Sequence, residues 1–350
     1  MNFIKILKSI SKENRPFVIA EAGINHDGSL KKAFKMVAVA KSARANAIKF
    51  QTYNTDELIS NKKQLFSYKI KGKSVSEPMY NIFKRCEFSK KNWTKIKKKC
   101  DKEKIIFLST PSSFSDINFL LKLKVPALKI GSDDFTNIPL IKKAKKTKLP
   151  LILSCGMSSL KEIEITLKNA GAHQGYPIIL MLCVSKYPTP PEDVHISRLK
   201  YLKFKYPKLK LGFSDHTEGS AAAVLATGYG AKFFEKHFTL NKKYKGPDHW
   251  FSEDPKGLKK WINEIKISLK MLGNSKQFPV RSENKMKILA RKSLVASKNI
   301  KKGETLSENN IGFKRPGNGL TPDKFSKICG MKSKIFIKKN TMIRLNLLSN

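Results

Sequence analysis

The chain has 350 residues, 70 of them Lys or Arg against 27 Asp or Glu, a formal charge of +43; this length suits two domains and a sizeable core. Such a charge invites a nucleic-acid or anionic-membrane partner, yet 62 of the cations are Lys and eight are Arg, spread over both halves, whereas a nucleic-acid surface concentrates charge and favours arginine. Five cysteines without a CxxC pair argue against a disulfide framework or zinc ribbon, and no apolar run approaches the ~20 residues of a membrane span.

Residues 1–16 read as a short cap beneath a barrel, with a polar turn at Ser11 to Asn14. Lys5 and Lys8 interrupt this segment before a signal-peptide core is reached, so a soluble, cytoplasmic protein is expected. Strand-sized apolar runs then recur: FVIAEA from Phe17, AIKFQ from Ala47, IIFLST from Ile105, ALKIGS from Ala127, LILSCG from Leu151, IILMLCV from Ile178, LKLGFSD from Leu209 and AKFFEKHF from Ala231. The stretches between them are long enough for a helix, with apolar spacing such as Phe34, Val37, Ala38 and Lys41 or Phe119, Leu120 and Leu123. Eight β-then-α units predict a parallel (β/α)8 TIM barrel over residues 1–275. Tyr53 to Glu87 is long for a connection and predicts an ordered excursion near the site. The helical pattern Pro255 to Leu272 closes the barrel, and Gly273, Asn274 and Ser275 stop it. A linker is expected over 276–286. Short β-prone pieces and turns over 287–350 predict a small β-rich module, whose KRPGNG turn (314–319) leaves Arg315 free to project into another domain's pocket.

In a TIM barrel the strand C-termini carry the chemistry. His216 and His237 end the seventh and eighth runs, neighbours in a closed barrel, so both imidazoles can face one divalent metal while leaving positions for water and substrate. Lys49 and Lys129 project toward the same mouth, where Thr110, Ser132, Ser154, Ser185 and Ser214 complete a cradle for a phosphate or carboxylate. A single serine there reads better as a helix N-cap; five such hydroxyls with two lysines read as an anion site. One of the lysines also reads as a Schiff-base nucleophile, provided burial depresses its pKa. Glu21 ends the first run, placed to orient a hydroxyl or move a proton, or simply to pair with a barrel lysine. His26 has no evident partner.

Taken together, AEAGINHDG (20–28), IKFQT (48–52), STP (109–111), KIGS (129–132), YPTP (187–190), GFSDHT (212–217), EKHFT (235–239), GPDH (246–249) and KRPGNG (314–319) resemble the sialic acid synthases, a family that includes N-acetylneuraminate, legionaminic and pseudaminic acid synthases. The resemblance covers almost the whole chain, and the C-terminal module is similar to the family's antifreeze-like, or SAF, domain. It implies condensation of phosphoenolpyruvate with the open-chain aldehyde of an N-acetylated amino-hexose, N-acetylmannosamine or a diacetamido sugar, releasing phosphate by C–O cleavage. By position it implies Mn2+, or Mg2+ or Co2+ in its place, on His216 and His237, with Glu21 assisting at the sugar C1. Phosphoenolpyruvate would lie on Lys49, Gln51, Thr110, Lys129, Ser132, Ser154, Ser185 and Ser214, and the sugar beside Tyr187 and Asp248. It also implies a homodimer in which the SAF domain lies over the partner barrel and Arg315 completes the other sugar site. Ser185, Lys186, Ser76 and Asp133 depart from the neuraminate pattern, which leaves the acceptor, phosphorylated or not, open. Another phosphoenolpyruvate-aldose synthase, a Schiff-base aldolase, and a sugar- or nucleic-acid-binding protein without turnover are the remaining readings.

Overall fold

The computed structural model describes residues 3, 4, 6, 9, 10, 15–70 and 72–350. The chain divides into two units, Met1–Gly273 and Asn274–Asn350.

The first unit holds the parallel barrel strands β1 (Phe17–Gly23), β2 (Ala47–Thr52), β5 (Ile106–Pro111), β6 (Leu128–Ile130), β7 (Leu151–Ser154), β8 (Ile178–Cys183), β9 (Lys210–Asp215) and β10 (Phe233–His237). A continuous ladder runs β5-β2-β1-β10-β9-β8-β7-β6, a near-closed TIM-type barrel as the repeat predicts. Alternation along each strand divides the interior by height. Phe17, Ile19, Ala47, Leu108, Ala127, Ile152, Ile179, Met181 and Phe233 form a packed apolar floor inside the barrel. Two residues further along the same strands stand Glu21, Lys49, Thr110, Lys129, Ser154 and Glu235, so the inward face turns polar at the C-terminal rim. The register sets these groups side by side: Glu21 is opposite Lys49 and His237, and Glu235 is opposite Ser214. From the expected cap, Phe3 and Ile10 join the floor, with Phe3 edge-on to Phe17 at 5.4 Å; the turn expected at Ser11 to Asn14 lies outside the described residues.

Side chains of opposite parity, among them Val18, Ala20, Ile48, Phe50, Leu153 and Phe234, face the helices in the larger outer core. The helix Leu30–Ser42 buries Ala33, Met36, Val37 and Ala40, one position off the expected stripe: Phe34 is half-buried and Ala38 and Lys41 are exposed. Two apolar sets at helical spacing overlap there, and only packing against the sheet decides between them. Helices begin on Ser29, Ser89, Ser113 and Ser159, each accepting a backbone N–H through its side chain. Ser132, Ser154, Ser185 and Ser214 cap no helix, which removes the alternative explanation for them.

The excursion after β2 is ordered. It comprises the helical turn Thr55–Leu58, an antiparallel hairpin of β3 (Leu65–Ile70) and β4 (Lys73–Pro78), and the helix Met79–Cys86. Glu87 ties its ends together by accepting from the backbone N–H and hydroxyl of Thr55.

In the second unit β11 (Ser293–Ala296) pairs antiparallel with β12 (Ile311–Lys314), and β13 (Lys332–Ser333) with β14 (Leu348–Ser349), around Leu294, Leu306, Ile311, Ile328, Ile343 and Leu348. The stretch expected as a linker is partly helical: a 3-10 turn covers Arg281–Glu283 and a helix runs Asn284–Ala290. Arg315 donates from Nε to the Ala290 carbonyl oxygen at 2.9 Å, so its guanidinium is anchored within its own unit.

Candidate active site

A cavity of about 400 Å3 opens at the rim of the barrel. Glu21, Lys49, Gln51, Thr110, Lys129, Ser132, Ser154, Ser185, Tyr187, Ser214, His216 and His237 all line it, so the structure brings together every barrel residue assigned to the site except Asp248. That residue lies in an adjoining chamber, which His237, Tyr187 and Gln51 also line. Arg315 belongs to the second unit.

At the cavity's base two lysines and two carboxylates form a buried quartet. Lys49 Nζ lies 2.9 Å from Glu21 and 3.9 Å from Glu235, and Lys129 Nζ lies 3.2 Å from Glu235. Lys49 also donates to Thr110 Oγ1 at 3.0 Å, and Ser214 to Glu235 at 3.1 Å. Burial pushes the Glu21 carboxyl up to about 7 against the pull of Lys49, with Glu235 adding repulsion. Burial acts the same way on Glu235, but Lys129 and Lys49 outweigh it and hold that group below the usual carboxylate range. Glu21 is therefore the carboxyl poised to gain or lose a proton near neutrality. Burial opposes charge on Lys49, but Glu21 and Glu235 overcome it and raise its pKa. A Schiff-base nucleophile needs the opposite shift, so this environment does not favour the aldolase reading of Lys49.

Above the quartet the hydroxyls of Ser154 and Ser185 are buried without a hydrogen-bond partner, as are both oxygens of Glu21 apart from its lysine. Unmet polar groups in a buried cavity are costly unless a ligand completes them. Gly156 leaves room for the hydroxyls of Ser185 and Ser132: a Cβ there would stand 2.6 Å from Ser185 Oγ and 2.7 Å from Ser132 Oγ. Its own N–H donates to Ser132 Oγ at 3.0 Å, and Gly156 carried no signal in the sequence beyond following a strand.

The two histidines meet as expected, with ring centres 5.5 Å apart. His216 donates from Nδ1 to the Val184 carbonyl oxygen at 2.7 Å. In the neutral ring this hydrogen bond leaves Nε2 as the lone pair. Burial, with His216 and Lys49 nearby, holds His237 well below the ordinary imidazole range, and its Nδ1 has no hydrogen-bond partner, lying 3.7 Å from Asp248. Burial opposes charge on His216, but Cys183 and the Val184 carbonyl overcome it and raise its pKa, so a divalent ion shared by the two rings would take the place of that proton. Among the described residues no group of three or more His, Cys, Asp or Glu is arranged to hold a metal, so water and substrate would have to fill the remaining positions. Tyr187 closes the site from above, its ring 4.2 Å from His216 and 5.1 Å from Phe251.

Residues 36–277 match the NeuB family, and residues 291–349 match the SAF domain. The chain belongs to the NeuB family. A NeuB relative, the N,N'-diacetyllegionaminic acid synthase of Campylobacter jejuni, is 36% identical over 94% of this chain and 99% of its own length. The pseudaminic acid synthase of Helicobacter pylori is 33% identical over 93% of this chain and 96% of its own. The crystal structure of an N-acetylneuraminic acid synthetase from Leptospira borgpetersenii in complex with citrate superposes with a TM-score of 0.70 at 37% identity, covering 78% of this chain and 90% of that one. NeuB membership supports an enzyme of the synthase type.

The sequence also named residues whose places only the fold explains. Glu235 and Asp215 are close neighbours of the two histidines in sequence; Glu235 is the counter-charge for both lysines, and Asp215 bonds to Lys236 and Trp261 outside the cavity. His26 is a packing residue. Its ring stacks 4.3 Å from Phe88, its Nδ1 accepts from the Gly28 N–H, and burial lowers its pKa to about 3.

Proposed function

We propose that this NeuB-family enzyme condenses phosphoenolpyruvate with the open-chain aldehyde of an N-acetylated amino-hexose, giving a nonulosonic acid and phosphate. The observation that carries the reading is the convergence, in one cavity, of two lysines and the unpartnered hydroxyls of Ser154 and Ser185 with two adjacent imidazoles. The first group suits an anionic three-carbon substrate and the second a cation that activates an aldehyde.

Lys49, Lys129, Thr110, Ser132, Ser154, Ser185 and Ser214, with Gln51, would bind the phosphate and carboxylate of phosphoenolpyruvate. His216 and His237 would hold a divalent ion, Mn2+ or Mg2+ or Co2+ in its place, which as a Lewis acid makes an aldehyde carbon more electrophilic. Tyr187 and Asp248 would orient the acceptor so that C3 of the enol forms its bond to the sugar C1. Water adds at C2, and the C2–O bond breaks as phosphate leaves. Glu21, with its pKa near neutrality, would supply or take the proton at the sugar C1 oxygen. The quartet suits this sequence because Glu21 and Glu235 balance the lysines' charge in a dry cavity until an anion takes their place.

A homodimer is part of the proposal, with Arg315 delivered to the partner's sugar site, and so is action in the cytoplasm, without membrane or nucleic-acid partners. In the described chain no helix is long and apolar enough to cross a membrane. The test is phosphate release from phosphoenolpyruvate with a panel of amino-hexoses, beside calorimetric titration of Mn2+ into metal-free protein. We expect acceptor-dependent release, its loss in chelator and recovery on adding Mn2+, and no Mn2+ binding by His216→Ala. Release without any sugar, or full turnover in excess chelator, would overturn it. Mixing His216→Ala with Arg315→Ala protein should restore activity through hybrid dimers if Arg315 acts in trans; verified hybrids without activity would remove that part.

A further inference from the structure

Asp248 sits in a loop that has no helix or strand of its own from residue 240 to residue 252. The same loop carries Trp250 and Phe251, which with Phe66 of β3 wall the adjoining chamber. Yet the Asp248 carboxylate stands 3.7 Å from His237 Nδ1, a place that an untethered loop would not keep. The tethers come from the turn after β1. Asn25 donates from Nδ2 to the Phe238 carbonyl at 2.9 Å and to Ser252 Oγ at 3.0 Å, and Ser252 donates to the Asp248 carbonyl. On the other side His249 Nε2 lies 2.9 Å from Asp27 Oδ1, and its Nδ1 lies 2.7 Å from Thr239 Oγ1. Lys32, from the helix Leu30–Ser42, donates to the second Asp27 oxygen at 2.6 Å and lays its Nζ 4.4 Å from the Tyr244 ring centre.

The Asp27–His249 pair is more than packing. The imidazole is 1% exposed and bonded at both nitrogens, so its orientation is fixed along with its volume. Burial pushes the Asp27 carboxyl up, but His249 and Lys32 outweigh it and hold the group below its ordinary range, so the ring meets a carboxylate. Asp27 adopts a φ of 51°, left-handed backbone that Asp tolerates and most residues avoid. The loop yields space for the pair at Gly246, where φ is 151° and a Cβ would stand 2.9 Å from His249 Cδ2 and 3.3 Å from Asp27 Oδ1. An apolar side chain would fill the same space without desolvating a carboxylate.

We propose that Asp27 and His249 are positioning residues of the acceptor site: their pair, adjacent in sequence to Asp248, holds that carboxylate against His237, although neither residue lines the cavity or the adjoining chamber. The inference rests on the synthase reading, in which Asp248 orients the acceptor. It also gives a joint role to AEAGINHDG and GPDH, the first supplying the anchor and the second the loop it grips. A group displaced by about 1 Å from its working position costs on the order of a hundredfold in rate. Releasing the ring should therefore act on the acceptor and spare the phosphoenolpyruvate and Mn2+ residues, which stand on the barrel's strand ends.

The test measures phosphate release with whichever amino-hexose the parent uses best, together with the KM of phosphoenolpyruvate and the calorimetric Mn2+ affinity. His249→Phe keeps a ring and removes both bonds; its kcat/KM for the sugar should fall about a hundredfold. The phosphoenolpyruvate KM and the Mn2+ Kd should stay within about twofold of the parent. His249→Gln, which can still donate to Asp27, should recover about tenfold of the loss. Asp248→Ala should lose a similar factor to His249→Phe, and combining the two should cost less than about threefold more, since the group being positioned is gone. Lys32→Met, at a site 35% exposed, should lower the same constant about threefold, and it decides the matter where the urea midpoint shows that His249→Phe has not folded. An unchanged constant in the deciding variant, a loss shared with the phosphoenolpyruvate KM or Mn2+ binding, or a double variant whose loss is the product of the two singles would overturn the inference and leave the synthase reading standing. A parent that releases no phosphate with any sugar would instead overturn the synthase reading, and this inference with it.

Discussion

Removing Lys236 should destabilise the barrel far more than a typical lysine substitution, although it lies outside the cavity. Its Nζ donates to Asp215 Oδ2 at 2.9 Å, the Thr217 carbonyl at 2.7 Å and the Gly219 carbonyl at 2.9 Å, so all three ammonium hydrogens are used. Asp215 in turn accepts from the Thr217 N–H and hydroxyl and from Trp261 Nε1. Both side chains are nearly inaccessible, 3% for Lys236 and 0% for Asp215. Lys236→Met keeps the volume but strands a buried carboxylate and leaves two carbonyls short of a donor. Breaking a buried pair from one side costs about 3–5 kcal/mol. With a urea dependence of about 3 kcal/mol/M for a barrel of this size, the midpoint should fall by about 1–1.7 M at constant slope. Asp215→Asn in the same background should add little, because the charge it removes is the one already stranded. The network holds the strand ends that carry His216 and His237, so the proposed Mn2+ binding should weaken as well. A midpoint within about 0.3 M of the parent, or a double variant whose loss is the sum of two large single losses, would refute the reasoning.

Gly212→Ala should cost about 1–3 kcal/mol by overpacking, since a Cβ would stand 2.7 Å from the Phe233 carbonyl oxygen and 2.9 Å from its Cβ; an unchanged urea midpoint would contradict it. Because burial raises Glu21 from 4.5 to about 7, its contribution to stability is complete below about 4.5 and lost as pH rises through 7, the folded state holding a proton that the unfolded chain has released. The stability difference between parent and Glu21→Gln should therefore change over pH 4.5–7 and level off above it, as read by urea unfolding at several pH values; a difference constant across that window would count against the shift. Cys86, Cys100 and Cys155 are buried, with thiols pushed up to about 12 by burial, so iodoacetamide at pH 8 should label them only after unfolding and reach the half-buried Cys329 first. Peptide mass spectrometry would show the order, and early labelling of Cys155 would contradict it.

Much of the site was legible because barrel geometry converts a one-dimensional pattern into a ring. A residue at the end of an apolar run lies at the rim whatever the helices do, so Glu21, Lys49, Lys129, His216 and His237 were found from strand ends alone. The side-chain period of two also accounts for the polar rim above an apolar floor. Residues off the strand ends were less legible. Asp248, Trp250 and Phe251 come from a loop after β10, and Phe66 from a hairpin that had shown itself only as an overlong connection. The stripe on Leu30–Ser42 was misplaced by one position because its sequence offers two apolar faces.

The sequence by itself determined eight strand-and-helix units, their order, and the identity of the groups at the rim, since these depend on local spacing and on the rise of a strand. Only the tertiary structure decided what each group faces. Glu21 meets Lys49 because their strands pair in register, whereas Glu235 reaches Lys49 and Lys129 from strands it does not pair with, inside the barrel, and the hydroxyls of Ser154 and Ser185 are buried there without a partner. Long-range Coulomb and hydrogen-bond energies depend on distances between residues far apart in the chain, and those distances exist only once the barrel has closed.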